Sequence, residues 1–260
     1  MNNGIGLQGR RVLVTGGAHG IGLAITEAFV AAGAAVHVCD IDTDWLTALK
    51  LKLPAVHQSV ADVSDEKQVD AMFAELASRW GTLDVLVNNA GISGPTCAIE
   101  DTTLVDWHKT LAVNLTGHFL CTRRAVPMLK AAGGGSIVNM SSAAGRMGFP
   151  LRSAYSASKF GIAGLTATWA IELGPAGIRV NSILPGMVAG ERQERMMAIK
   201  ARSYGIAQEE LRQRMLSKVS MRRMVSAQDI ANQVLFICSD AGAAISGQSL
   251  SVCGNLEHLS

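Results

Sequence analysis

The chain has 260 residues, enough for one large α/β domain or two small ones, and no linker favours two. Hydrophobic residues make up 48% and charged residues 17%, which supports a substantial core and excludes a disordered chain. A net charge of +2 gives no field that would attract a nucleic acid or a membrane surface.

The N-terminal "MNNGIGLQGRRVLVTGG" contains no apolar run long enough for a signal peptide or a membrane span, so a cytoplasmic location is expected. The first β-branched run, "RVLVTG" (10–15 with Gly16), leads into "VTGGAHGIG" and a helical segment near 20–32. Gly16, Gly20 and Gly22 allow a tight turn, close approach of backbone to a pyrophosphate, and free amides at a helix N-terminus. The second run, "AVHVCD" (35–40), ends in Asp40. A carboxylate there can accept hydrogen bonds from adenosine ribose hydroxyls and repel a 2'-phosphate. No Arg or Lys in the glycine turn or just after Asp40 would neutralise that phosphate, so NAD is favoured over NADP. The competing role for Asp40 is a helix N-cap, which Asp42 or Thr43 could equally fill.

Further runs follow at 55–62, 83–90, 135–142, 178–186 and 249–255, with helical periodicity near 65–79, 103–131, 154–173 and 227–239. Short runs buried on both faces and joined by crossover helices predict an α/β fold: a single domain over 1–260, a doubly wound, Rossmann-like parallel sheet of about seven strands with helices on both faces. One segment breaks the rhythm. Residues 191–223 hold nine Lys/Arg and four Glu, a net +5, and form either a solvated helical pair or a lid over a ligand crevice.

The cysteines (Cys39, Cys97, Cys121, Cys238 and Cys253) show no CxxC or Cys/His metal spacing and read as reduced core residues. His19, His108 and His118 lack partners at metal-ligand spacing, so no metal is expected.

In "SAYSASKFG", Tyr155 and Lys159 stand four apart on a predicted helix and share one face. A phenol with an ordinary pKa near 10 needs roughly 4 kcal/mol of help to accept a proton at neutral pH. An ammonium about 5 Å away supplies roughly 3 kcal/mol of it at an effective dielectric near 20. Taken alone, the pair also fits an exposed Tyr and a solvated Lys.

The surrounding motifs decide between these. "TGGAHGIG", "ADV" (61–63), "NNAG" (88–91), Asn114 in "LAVNLTG", Ser142 in "SIVNMSSAAG", "YSASK" (155–159) and "PG" (185–186) occur in one order and spacing. Over nearly its whole length the chain resembles a classical short-chain dehydrogenase/reductase. That resemblance implies that Tyr155 exchanges a proton with the substrate oxygen, while Lys159 lowers the phenol pKa and holds the nicotinamide ribose. It implies that Ser142 donates a hydrogen bond to the substrate oxygen, and that Asn114 bends its helix and anchors a water that relays protons from Lys159. Asp62 and Val63 would flank the adenine, and Asn89, Ala90 and Gly91 would line the wall beside the adenosine ribose. His19 and Ile21 of the glycine-rich turn join the cofactor residues, as do Pro185 and the backbone of Val188.

Two departures stand out. Gly190 occupies the place of a frequent threonine, and Cys253 and Asn255 stand where many relatives carry Asp and Gly. The resemblance further implies a homotetramer and an NAD-dependent enzyme moving hydride between nicotinamide and a secondary alcohol or ketone. Arg146, Arg152 and Arg192 flank the predicted chemistry, and the neighbouring segments lack large apolar runs, so a small polar substrate such as a sugar, sugar acid or hydroxy acid is expected. The alternatives are a 3-oxoacyl-[acyl-carrier-protein] reductase, which would favour NADPH, and a non-catalytic NAD-binding sensor or scaffold.

Overall fold

Seven parallel strands run in the order β3-β2-β1-β4-β5-β6-β7. A computed structural model describes residues 6–259. The strands are β1 (Arg11–Thr15), β2 (Ala35–Asp40), β3 (His57–Val60), β4 (Val85–Asn88), β5 (Gly135–Met140), β6 (Ile178–Pro185) and β7 (Ser249–Val252). The helices are α1 (Gly20–Ala31), α2 (Thr43–Lys52), α3 (Glu66–Trp80), α4 (Leu104–Leu111), α5 (Gly117–Ala131), α6 (Ser153–Leu173), α7 (Glu191–Tyr204), α8 (Gln208–Leu216) and α9 (Ala227–Cys238).

Successive side chains of a strand point to opposite faces, so each central strand must be apolar on both. Val12 and Val14 of β1 therefore join the core formed with Ile25 and Phe29 of α1 and Ile230, Val234 and Ile237 of α9. Leu13 between them faces the second core, built with Phe73 and Leu76 of α3 and Leu120 and Leu129 of α5. Burial of a side chain such as Phe29 stabilises by about 2–3 kcal/mol. The order reverses between β1 and β4, which opens a crevice beyond their carboxyl ends.

One helix was not foreseen, one expected helix is interrupted, and one expected helical pair is present. Helix α2 carries little periodic signal, because only Leu46 and Leu49 of its ten residues are buried. The single helical segment expected over 103–131 is broken by a π-helical turn, Ala112–Thr116, with Asn114 at its centre. The 191–223 segment is indeed a pair of helices, and it carries a small core of its own: Met197, Ala201 and Leu211, with Ile206, Met215 and Met224 packed against it.

At the β3 edge, His37 is fully buried and bonds Ser59 through Nε2 at 2.8 Å. Burial lowers its pKa to about 4, against a smaller opposing pull from Glu75. As the pH falls from 6.5, the unfolded chain protonates this histidine before the folded one does, so stability drops through the window from about 6.5 to 4. At about 1.4 kcal/mol per unit the loss is on the order of 3 kcal/mol. Urea midpoints at pH 7 and pH 4.5 should show this fall, and His37→Val should flatten it. An equal slope in the variant would assign the acid sensitivity elsewhere.

Candidate active site

The turn after β1 is built by glycines with distinct tasks. Gly16 (φ 59°) and Gly20 (φ 57°) adopt backbone that other residues resist. A Cβ on Gly22 would lie 2.0 Å from the Gly16 carbonyl oxygen and 2.6 Å from Asn89 Nδ2, whereas a Cβ on Gly20 would meet nothing within 4 Å. Gly22 thus permits packing, and Gly20 leaves a clear approach to the amides opening α1, where Ile21 follows. The exit of β4 is fastened to this turn. Asn89 Nδ2 donates to the carbonyls of Thr15 (3.0 Å) and Gly16 (2.8 Å), and the amides of Asn89 and Ala90 donate to Thr15 Oγ1.

Asp40, at the end of β2, is 7% exposed. Its oxygens accept from the amides of Ala18 (3.3 Å), Ile41 (2.8 Å) and Asp42 (3.3 Å). The N-cap of α2 is Asp42, bonded by the amides of Asp44 and Trp45, so Asp40 is not used as the cap. His19 stacks on Trp45 with ring centroids 4.2 Å apart. Val63 is buried against Gly117, and Asp62 is engaged by the Ser64 amide and hydroxyl.

Across the crevice, β5 and α6 deliver the remaining polar groups. Tyr155 and Lys159 share a helix face as the spacing predicts, with the ammonium 5.7 Å from the phenol ring centroid. Lys159 is 5% exposed and donates to the Met140 carbonyl at 2.8 Å. Burial lowers its pKa to about 8. Ser142 caps the short turn Ala143–Gly145, its Oγ accepting from the Ala144 amide. The adjacent Ser141 Oγ donates to the Lys159 carbonyl, and a Cβ on Gly145 would fall 2.7 Å from that same oxygen. The Ser142 turn and α6 are therefore packed backbone to backbone.

Asn114 is fully buried, and both of its side-chain polar atoms are engaged. Its Oδ1 accepts from the Ile92 amide, while Nδ2 donates to the Ile92 carbonyl and to Ser158 Oγ. A Cβ on Gly91 would lie 3.2 Å from Asn114 Oδ1 and 3.6 Å from Lys159 Nζ, so the β4 exit, the π turn and α6 meet at one point.

Arg152 sits at the N-terminus of α6, where a cation opposes the helix dipole. Its guanidinium donates to the Ser93 carbonyl at 2.6 Å and lies over Phe149 (5.2 Å) and Tyr155 (5.0 Å). Arg146 is exposed, with Nη2 3.7 Å from Cys253 Sγ. Arg192 is the second residue of α7, and its side chain lies outside the described residues. Pro185 ends β6, and Val188 pairs with Val225 in an isolated bridge. Gly190 has φ 150°, a backbone that a β-branched threonine could take only under strain, which accounts for the departure at this position. Cys253 packs against Gly186, where a Cβ would come within 2.6 Å of its own. Sequence reasoning missed Thr15, Ser141 and Ser158. Their roles are bonds to backbone or to other side chains, and nothing in the sequence distinguishes them from ordinary hydroxyls. Among the described residues no group of three or more His, Cys, Asp and Glu side chains gathers as a metal site.

A protein-family model described as Enoyl-(Acyl carrier protein) reductase matches residues 16–255. The trans-4-hydroxycyclohexanecarboxylate dehydrogenase of Sinomonas cyclohexanicum is 38% identical over 252 residues, covering 93% of this chain and 90% of the relative. The probable galactose dehydrogenase GalD of Rhizobium meliloti (strain 1021) is 39% identical over 255 residues, 96% of each chain. The crystal structure of an NAD+-bound xylitol dehydrogenase superposes with a TM-score of 0.90 at 30% identity, covering 95% of this chain and 99% of that one.

Proposed function

The chain belongs to the short-chain dehydrogenase/reductase family, oxidoreductases of alcohols whose Rossmann fold binds nicotinamide cofactors, and we propose that it is an NAD-dependent dehydrogenase of a small polar secondary alcohol. One observation carries the reading: the buried Lys159 ammonium lies 5.7 Å from the Tyr155 ring and 3.6 Å from where a Cβ on Gly91 would stand. The charge thus borders both the proton acceptor and the wall beside the glycine turn.

The residues present fit NAD. Open space at Gly20, the amides at the start of α1 and the Asp40 carboxylate suit a pyrophosphate followed by a ribose diol. Gly16, His19, Gly20 and Ile21 would hold the phosphates, and Asp40 the ribose. Asp62, Val63, Asn89, Ala90 and Gly91 would enclose the adenosine, and Pro185 with the Val188 backbone the nicotinamide. When bound, the oxidised nicotinamide supplies the hydride acceptor. Ser142 donates to the substrate oxygen and fixes its direction. Tyr155 takes the hydroxyl proton as the carbon–hydrogen bond breaks, with Lys159 stabilising the phenolate and binding the nicotinamide ribose. The Asn114 side chain is engaged by Ile92 and Ser158, so its part is to hold the π turn beside the relay water.

The substrate class rests on two supports. The relatives named above act, by name, on a ring hydroxy acid and on a sugar. The Arg152 guanidinium also lies 5.0 Å from the Tyr155 ring, beside the place the alcohol must occupy. A substrate carboxylate would meet Arg152. Helices α7 and α8, with their separate core, act as a lid over it. The enzyme is a cytoplasmic homotetramer in this reading; exposed Phe119 on α5, Phe160 and Ile171 on α6 and Phe236 on α9 supply apolar surface for subunit contacts.

Arg152→Ala should lower kcat/KM for carboxylate substrates by about tenfold or more while neutral analogues change far less, as for one lost charged hydrogen-bond pair. Arg146→Ala and Arg192→Ala should show the same selectivity more weakly. Equal losses on both classes, or a clear preference for neutral sugars, would remove the anionic-substrate reading. A preference for NADPH and 3-oxoacyl thioesters would favour the acyl-carrier-protein reductase instead.

A further inference from the structure

Beyond β7 the chain doubles back sharply. Gly254 (φ 61°) and Asn255 (φ 57°) are successive residues in the left-handed region, which glycine enters freely and asparagine more easily than most side chains. A Cβ on Gly254 would lie 3.0 Å from Val219 Cγ1 and 3.5 Å from Met221 Cβ, so the turn sets this segment against the limb returning from α8. From there the two run antiparallel. Val219 pairs with Leu256 in an isolated bridge, and the amides of Ser220 and Met221 donate to the carbonyls of Asn255 (3.0 Å) and Gly254 (3.1 Å). Side chains repeat the tie: Asn255 Nδ2 donates to Ser220 Oγ at 2.7 Å, and that hydroxyl donates to Glu257 Oε1 at 2.9 Å.

The same segment also meets the turn that Ser142 caps. Cys253 and Leu256 are buried in a small cluster with Val219 and with Ala143, the residue after Ser142. Arg146, at the end of that turn, places Nη2 3.7 Å from Cys253 Sγ, and the Leu256 amide donates to the same sulfur at 3.4 Å. Met187, on the limb leading to α7, packs against the cluster, and its carbonyl accepts from the Val225 amide at 3.0 Å. Both limbs of the α7/α8 pair thus reach one cluster, which is distinct from the two sheet cores and from the pair's own core. Holding the limbs alone would require only the antiparallel pairing. The inclusion of Ala143 is what connects them to Ser142.

We propose that Leu256, aided by Asn255, is a positioning residue for Ser142: residues 253–257 clamp the returning limb of the α7/α8 pair to the Ser142 turn, so the seating of that pair and the direction of the Ser142 hydroxyl are set together. The two departures noted in the sequence supply the side-chain ties, Cys253 toward Arg146 and Asn255 toward Ser220. A glycine at 255 would make the same turn without the second tie. The inference rests on the dehydrogenase reading for the role of Ser142, whereas the clamp itself does not depend on it.

The test combines hydrogen exchange with kinetics. Leu256→Ala removes most of the largest buried side chain of the cluster. Exchange of the Ser220 and Met221 amides should then rise about tenfold or more, together with that of Gly145 and Arg146, whose amides close the Ser142 turn on the carbonyls of Ser142 and Ala143. Asn255→Gly keeps the backbone and loses only the side-chain bond, so it should move both sets of amides the same way, more weakly; this variant carries the test if Leu256→Ala folds poorly. Faster exchange in the limb with the turn unchanged would overturn the proposal. In turnover, Leu256→Ala should lower kcat about tenfold with NADH affinity unchanged, the worth of one misdirected hydrogen bond. In a Ser142→Ala background the same change should lower kcat by less than about twofold. Equal losses in both backgrounds would overturn the proposal, as would an equal loss in Leu76→Ala, a deletion in the distant α3 core that weakens the fold without touching the clamp. Exchange needs no substrate, so an enzyme inactive on every alcohol would refute the dehydrogenase reading and leave the clamp to the exchange result.

Discussion

Tyr155→Phe is expected to reduce turnover by about 10³-fold or more while NADH still binds, the loss typical when a positioned general base is removed. The phenol ring itself stays in place in the variant, because its contacts with Arg152 and the Lys159 ammonium are made by the ring face. The backbone is held separately: Ser158 Oγ bonds the Tyr155 carbonyl, and Ser141 Oγ bonds that of Lys159. Fold and cofactor site should therefore survive, and only the proton acceptor is lost. In the wild type, oxidation should accelerate with rising pH as the phenol proton becomes easier to remove, until loss of the Lys159 charge above about 8 reverses the trend. Turnover near the wild-type rate in Tyr155→Phe would take this residue out of the mechanism.

The second large effect concerns the choice of dinucleotide. Wild-type kcat/KM for NAD+ should exceed that for NADP+ by more than about tenfold, at least ~1.4 kcal/mol. The carboxylate responsible cannot swing away, since three backbone amides fix both of its oxygens. A 2'-phosphate would be placed against a buried negative charge that no lysine or arginine of the glycine turn offsets. Asp40→Asn keeps an amide-accepting oxygen and removes the charge, so it should narrow the gap mainly by raising kcat/KM for NADP+. An unchanged ratio in Asp40→Asn would place the discrimination elsewhere in the site.

Much of this architecture is legible from the residues because it rests on local chemistry. Runs such as "VLVT" must be buried on both faces, the glycines after β1 have few other uses, and Tyr155 and Lys159 are bound to one face by helical geometry. What escaped reading is what depends on partners distant in sequence. Helix α2 is specified more by its Asp42 cap and by docking of Leu46 and Leu49 than by an apolar stripe. The resemblance around Asn114 implies a bend in the helix, but the bonds to Ile92, 22 residues away, that accompany the π turn are not readable near Asn114. Arg152 was legible as a misplaced cation at a helix start, but its contact with Ser93, 59 residues distant, was not.

The account's central claim, an NAD-dependent dehydrogenase of a small polar alcohol, is tested most directly by following reduced-nicotinamide absorbance with purified enzyme. NAD+ and NADP+ would be compared across a panel of sugars, sugar acids, polyols, hydroxy acids and steroids. The account predicts turnover with NAD+ on at least one small hydroxylated substrate, weak or absent turnover with NADP+, and loss of the signal in Tyr155→Phe. Preference for NADP+, or binding of NAD+ without oxidation of any alcohol in the panel, would contradict it.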